Sequence, residues 1–161
     1  MSQNINQNIS STKLNNILNK DFIVVSVGAS KRRQEKCLRK EVWIETLNKL
    51  ADMKKNVVVV YAQWEQESVM KILKYVSKDI KTFCPENGLI DLSALISKAK
   101  LFIGIDSGTM HLAASLGIKC IALYGNTDPS QIGPRPLQNH IIIKKNSAKD
   151  IIASDILENI K

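Results

Sequence analysis

Short apolar runs alternate with longer amphipathic segments along the chain from Phe22 onward. Runs that are apolar throughout are typical of strands buried on both faces of a sheet. The pattern predicts five strands: FIVVSV from Phe22, NVVVVYA from Asn56, KLFIGI from Lys100, KCIALYG from Lys119 and HIIIKK from His140. It also predicts helices over 40–53, 67–77, 91–99, 109–116 and 148–160. This alternation indicates an α/β fold, a Rossmann-like parallel sheet with helices on both faces.

The predicted topology indicates where functional residues should lie. In open parallel sheets, ligands bind beyond the carboxyl ends of the strands. We therefore expect the chemistry of this chain in the loops that follow Val27, Ala62, Ile105 and Tyr124.

The first twenty residues are rich in Asn, Gln and Ser, and we interpret 1–20 as a polar linker with one amphipathic turn around Leu14, Ile17 and Leu18. Residues 21–161 then form one domain. A chain of 161 residues, 44% of them hydrophobic, can bury a core without a disulfide or a metal.

The composition limits the cellular compartments in which we expect this chain. The three cysteines are odd in number and form no CxxC pair, so we expect a reducing cytosol and neither a disulfide framework nor a zinc ribbon. No apolar run approaches the ~20 residues that span a bilayer, and the amino terminus lacks an apolar signal core. We expect neither a membrane span nor export, and no bound metal or cofactor.

The chain has a net charge of +8, and its basic residues cluster from Lys31 to Lys40, directly after the first predicted strand. This charge suits nucleic acid, anionic lipid or small phosphorylated ligands. The cluster is interpreted either as an anion site or as a solvated loop. Nucleic-acid binding is disfavoured, because the cluster has no interleaved aromatic residues and matches no nucleic-acid motif.

The most specific segment is IGIDSGTMHLAASLGIKCIALYGNTDP, residues 103–129. A strand is followed by the tight turn Asp106-Ser107-Gly108 and then by a helix. Gly108 lets a ligand approach the backbone, and the start of the helix offers free N–H groups to a phosphate. Asp106 is placed to accept hydrogen bonds from sugar hydroxyls, and His111 lies on the first helical turn at the same edge of the sheet.

Simpler interpretations stand beside this one. Asp or Ser before a helix is most often an N-cap, and a lone histidine such as His111 is often a packed residue. The segment YGNTDP, from Tyr124 to Pro129, is typical of an Asx-type turn. A serine hydrolase is disfavoured, because Gly104 to Gly108 does not fit G-x-S-x-G. The G-x-G-x-x-G and P-loop motifs are also absent, so oxidoreductases and NTPases lose support.

These residues resemble the lipopolysaccharide heptosyltransferases, glycosyltransferase family 9. DSGTMHLAASLG followed by YGNTDP is similar to the family pattern D-[ST]-G-x-x-H-L-A-A-x-x-G and [FY]-G-x-T-[DS]-P. VGAS, at 27–30, resembles its P-G-A-[ST] turn, and KCLRKEVW, at 36–43, falls in register with its K-R-W-P-x-E-x-[FW] segment. The resemblance spans residues 22–134.

The resemblance implies one half of a GT-B glycosyltransferase, a metal-independent inverting enzyme that uses ADP-L-glycero-D-manno-heptose. Ser107 and Gly108 would bind the diphosphate through backbone N–H groups, and Lys36 would offset charge on the leaving ADP. Asp106 and His111 would orient the sugar and the phosphate. Two further donor-binding residues are implied, a hydroxyl from Ser30 and a ribose-binding carboxylate from Glu65.

Departures from the family pattern bear on the activity that the resemblance implies. Full enzymes of the family are about twice as long, and the acceptor domain with its general base is not in this chain, so we expect no catalytic residue here and little transfer by the chain alone. The segment VVVVYAQWE replaces a glycine-rich turn. The expected partners are a nucleotide sugar, a lipid A-core acceptor reached through the other domain, and the cytoplasmic face of the inner membrane. The alternative is a noncatalytic nucleotide-sugar-binding module.

Overall fold

A computed structural model describes residues 18–77 and 80–161. In these residues six parallel strands form one sheet in the order β3-β2-β1-β4-β5-β6. The strands are β1 (Ile23–Ser26), β2 (Val57–Val60), β3 (Lys81–Phe83), β4 (Leu101–Ile105), β5 (Cys120–Tyr124) and β6 (Ile141–Lys144). The predicted Rossmann-like parallel sheet is confirmed. The strand order reverses between β1 and β4, where sheets of this class bind their ligands.

The helices follow the amphipathic segments. They are α1 (Lys40–Asp52), α2 (Gln66–Leu73), α3 (Leu89–Ile96), α4 (Gly108–Ser115), α5 (Pro129–Ile132) and α6 (Ala153–Leu157). Short 3-10 turns lie at Gln34–Lys36, Gln63–Glu65, Leu137–Asn139 and Ala148–Asp150. None of the helices in the described part of the chain is long and apolar enough to cross a membrane.

Two cores cover the two faces of the sheet. On one face, α1 buries Trp43 and Leu47 against strand residues that include Val25. On the other face, α3 and α4 pack against the sheet through residues that include Leu95 and Met110. The strands β1, β2 and β5, which are apolar except for Ser26, are buried along their whole length, as their composition predicted.

The structure corrects the element predictions in three places. The strand β3 is not in the sequence prediction, because it is three residues long, only partly buried and paired with β2 alone. The short helix α5 is likewise additional. The helix predicted over 148–160 is wrong, because Ile151 and Ile152 are extended and separate a 3-10 turn from α6. Of the amphipathic turn expected near the amino terminus, Leu14 and Ile17 lie outside the described residues.

The break before α6 has a local cause. Ser147 caps the 3-10 turn, and the Ile152 N–H donates to the Asp155 carboxylate at 3.0 Å instead of continuing a helix. Extended backbone at Ile151 carries that side chain fully into the core. Burial of one isoleucine side chain is worth about 1.5–3 kcal/mol.

Candidate functional site

Two loops meet at the carboxyl edge of the sheet, where β1 and β4 lie side by side. The loop after β1 contains Lys36, and Asp106 directly follows β4. The Lys36 Nζ donates to Asp106 Oδ2 at 2.6 Å, although the two residues are 70 positions apart in the sequence. Their side chains are only 14% and 5% exposed. A charged pair in this setting is shielded from water, so its attraction is stronger than that of a surface pair.

Asp106 has two further side-chain partners. The His111 Nε2 lies 3.3 Å from Asp106 Oδ1, and the Thr127 hydroxyl donates to Asp106 Oδ2 at 3.2 Å. The His111 side chain is 42% exposed, so its ring reaches the surface of the loop cluster. We call Lys36, Asp106, His111 and Thr127 the Asp106 cluster. It joins the loops after β1, β4 and β5 at one point.

The start of α4 borders this cluster. Ser107 is the N-cap, because its hydroxyl accepts the Met110 N–H at 3.3 Å, as the simpler interpretation predicted. Gly108 is the first helical residue and is exposed. A Cβ built on Gly108 would meet no atom of the described chain within 4 Å. Packing within the described residues therefore does not require glycine at position 108. The start of α4 faces open space, towards which its unbonded N–H groups and the positive end of its dipole point.

Ser30 opens the loop that carries Lys36. Its side chain is exposed, and its carbonyl accepts the Arg33 N–H at 3.0 Å and the Gln34 side-chain amide at 2.9 Å. These bonds fold the loop into a turn before Lys36. The Ser30 hydroxyl lies at the same edge of the sheet as the Asp106 cluster.

Glu65 lies after β2, beside the β1 loop. Its Oε2 accepts the Ala62 N–H at 2.7 Å, and its Oε1 covers Gly28 so closely that a Cβ on Gly28 would lie 1.7 Å from that oxygen. Burial raises the pKa of the Glu65 carboxyl, and the Ala62 hydrogen bond partly opposes this. Glu65 lines a small cleft that reaches the start of α4, together with Ser26, Tyr61, Pro85, Leu92 and Thr109. Glu65, which is predicted to bind a ribose, and the start of α4 thus line the same cleft.

The basic cluster divides into different roles. Lys31 lies 5.6 Å from the centroid of the Trp64 ring, and Arg33 pairs with Glu35 at the surface. Such exposed contacts contribute little to stability. Lys36 instead turns inward to Asp106. The surface contacts of Lys31 and Arg33 fit the solvated-loop interpretation, and the anion site stays a prediction.

Thr127 is the residue that the sequence analysis left without a role. The Asx-type turn predicted beside it is present, because Asp128 Oδ1 accepts the Ser130 N–H at 2.9 Å and the Ser130 hydroxyl at 2.7 Å. The position of Thr127 after β5, at the ligand-binding edge, was the available signal. Its contact with Asp106 depends on how β4 and β5 pair, which composition does not reveal.

The chain is similar to known proteins along most of its length. The model of glycosyltransferase family 9 (heptosyltransferase) matches residues 2–161. Lipopolysaccharide heptosyltransferase 3 of Escherichia coli is 46% identical over 52 residues, which are 32% of this chain and 15% of that protein.

Two solved structures share the fold. The E. coli ADP-heptose lipopolysaccharide heptosyltransferase II superimposes with a TM-score of 0.79 at 25% identity, over 98% of this chain and 48% of that one. An E. coli heptosyltransferase solved with ADP gives a TM-score of 0.77 at 23% identity, over 87% of this chain and 43% of that one. The matching region is thus less than half the length of each of these proteins.

Proposed function

Because the chain belongs to glycosyltransferase family 9, the heptosyltransferase family, we propose that residues 21–161 are the donor-binding domain of a GT-B heptosyltransferase. The donor is ADP-L-glycero-D-manno-heptose or a similar nucleotide sugar. The observation that carries the proposal is the ion pair between Lys36 and Asp106, at the strand-order reversal and beside the start of α4. This arrangement brings a cation, a helix N-terminus and a hydrogen-bond acceptor to one edge of the sheet.

The proposed binding mode follows from the charges of these groups. A diphosphate is stabilised by backbone N–H groups at a helix start, which Ser107 and Gly108 supply. Ser30 adds a hydroxyl, and His111 adds a ring nitrogen from the first turn of α4. Glu65 lines the cleft at the neighbouring strand end, and the acceptor positions that its carboxylate keeps beside the Ala62 hydrogen bond are proposed to bind a ribose hydroxyl.

The proposed reaction is a displacement with inversion at the anomeric carbon. The acceptor hydroxyl attacks that carbon and loses its proton to a general base of the acceptor domain. The bond from the sugar carbon to the phosphate oxygen breaks, and its electron pair leaves with ADP. The Lys36 ammonium opposes the negative charge that develops on ADP, so no metal ion is needed for this step. Little or no transfer is expected from these 161 residues alone.

The acceptor and the location are part of the proposal. We place the domain at the cytoplasmic face of the inner membrane, where a lipid A-core acceptor is presented through the acceptor domain. The net charge of +8 favours approach to an anionic membrane surface. The alternative function is a noncatalytic module that binds a nucleotide sugar.

Calorimetric titration with ADP-heptose, ADP and UDP tests the proposal. We expect saturable binding that favours ADP-heptose, and we expect Asp106→Asn to weaken ADP-heptose binding more than ADP binding, because its proposed ligand is the sugar. Asp52→Asn, on an exposed residue at the far end of α1, is the control. Equal losses for both ligands would exclude the sugar contact, and no binding at millimolar ligand would exclude an intact donor site.

A further inference from the structure

The hydrogen bonds of Asp106 leave few places for a ligand. A carboxylate has about four acceptor positions, two on each oxygen. Lys36 at 2.6 Å and Thr127 at 3.2 Å occupy Oδ2, and His111 at 3.3 Å faces Oδ1. One acceptor position therefore remains, on Oδ1, beside the exposed ring of His111.

We propose that Thr127 is a positioning residue that holds Oδ2 towards Lys36 and so presents Oδ1 of Asp106 to a hydroxyl of the donor sugar. This inference rests on the proposed function, because it assigns the selection of a nucleotide sugar over the free nucleotide to one hydrogen bond. Thr127 itself does not contact the sugar. It acts through the orientation of the Asp106 carboxylate.

A second donor is needed because Lys36 alone constrains the carboxylate weakly. The last torsion of an aspartate side chain is broad, and a lysine ammonium is a point charge on a flexible stem. A threonine has a restricted first torsion, so its hydroxyl defines a direction. Two donors on Oδ2 from different loops fix the plane of the carboxylate, and a fixed acceptor is what discrimination between ligands requires.

The loop that carries Thr127 is itself anchored on both sides. Gly125 packs directly on the backbone of the turn before α6, since a Cβ at Gly125 would lie 2.4 Å from the Ala148 nitrogen. The Lys144 ammonium donates to the Gly125 carbonyl. Asp128 closes the Asx turn on the other side of Thr127. The hydroxyl is therefore held in place before any ligand binds.

Thr127→Val tests this assignment, because valine keeps the shape of threonine and removes the hydroxyl. We expect ADP-heptose affinity to fall about tenfold, the scale of one hydrogen bond to a charged group, while ADP affinity changes by less than about twofold. Thr127→Ser restores part of the lost affinity, because serine keeps the hydroxyl but lacks the β-branch that restricts its direction. Asn126→Ala, on the exposed neighbour in the same loop, leaves both affinities unchanged.

A double-mutant cycle of thermal unfolding with Thr127→Val and Asp106→Ala measures the contact without ligand. We expect the two substitutions to be non-additive. Additive effects, unchanged selectivity in Thr127→Val, or equal losses for ADP and ADP-heptose would each overturn the positioning role. If the unmodified protein binds neither ligand, the proposed function fails instead, and the role of Thr127 fails with it.

Discussion

Asp106 is nearly buried, and a buried carboxylate is stable only when other groups replace the water that it has lost. Lys36 supplies a charge, while Thr127 and His111 supply polar contacts at both oxygens. At the scale of single residues, the same contacts that stabilise Asp106 also place Lys36 and His111 at the ligand-binding edge. The residues that stabilise Asp106 are therefore also the residues for which ligand binding is proposed.

Lys36→Ala separates the two contributions. Without its main partner, Asp106 keeps only the contacts from Thr127 and His111, so we expect the free energy of unfolding to fall by about 1–3 kcal/mol. ADP and ADP-heptose should both bind more weakly, because the lost charge acts on the phosphates. Urea denaturation and calorimetry measure the two effects, with Lys49→Ala on the exposed face of α1 as a control of equal charge. Unchanged ADP affinity would make Lys36 a structural residue only.

Glu65 gives a prediction about pH. Burial raises the pKa of its carboxyl above the unfolded value, so the folded protein holds this proton more tightly than the unfolded chain does. The contribution of Glu65 to stability therefore decreases as pH rises from the unfolded pKa through the folded one. Glu65→Gln keeps an acceptor for the Ala62 N–H and removes the charge. Its melting temperature relative to the unmodified protein should rise as the pH increases above the ordinary pKa of a glutamate carboxyl, 4.5.

Thermal denaturation at several pH values checks this expectation. Glu45→Gln, on an exposed position of α1, reports the general effect of removing one negative charge. A melting-temperature difference for Glu65→Gln that stays constant with pH, or that follows the Glu45→Gln control, would contradict a burial effect at Glu65.

At the scale of elements, the site lies where the parallel strands β1 and β4 are neighbours in the sheet. The chain continues from β1 to β2 and from β4 to β5, which lie towards opposite edges of the sheet. The βαβ connections place α1 on one face and α4 on the other. Their N-terminal ends therefore both lie at the carboxyl edge of the sheet, where α4 presents its dipole to the cleft. The loop after β5 adds Thr127 from the next strand along.

Two glycines at this edge differ in what surrounds them. Gly108→Ala adds a methyl group that points into open space, so we expect unchanged stability or a gain of about 0.5–1 kcal/mol from better helix propensity. ADP affinity should fall, because that space is where the diphosphate is proposed to lie. Gly125→Ala instead pushes against the Ala148 backbone and should cost about 1–3 kcal/mol. Urea denaturation of both variants tests the contrast in stability. Unchanged ADP affinity in Gly108→Ala would mean that no diphosphate lies in that space.

At the scale of the whole molecule, the solved heptosyltransferases are more than twice as long as the region that they share with this chain. We expect these 161 residues by themselves to bind the donor without transferring the sugar, because the general base of the proposed reaction belongs to the acceptor domain. Adding the acceptor half of a family member should produce transfer to a truncated lipopolysaccharide, and Lys36→Ala should abolish it. Transfer by the chain alone would contradict the proposal that the donor site and the general base lie in different domains.

The long apolar strands and the helices over them were predictable, because period and composition are local properties. The edge strand β3 was not, since three partly polar residues form a strand only beside β2. The helix predicted over 148–160 was wrong for a related reason. The pattern of apolar residues in that segment is helical, but extended backbone at Ile151 buries its side chain in the core. In both places tertiary contacts decide between local alternatives of similar free energy.

The sequence by itself determined the α/β class and the family resemblance, because apolar periodicity and the motif from Asp106 to Pro129 are local features of the chain. It also predicted the edge of the sheet at which a ligand is proposed to bind. Only the tertiary structure decided that Lys36 and Thr127 share one oxygen of Asp106 and that Glu65 lies against Gly28. These contacts join loops that are far apart in sequence. Their geometry depends on strand pairing and on the packing of both faces of the sheet, and neither property is encoded at any single position.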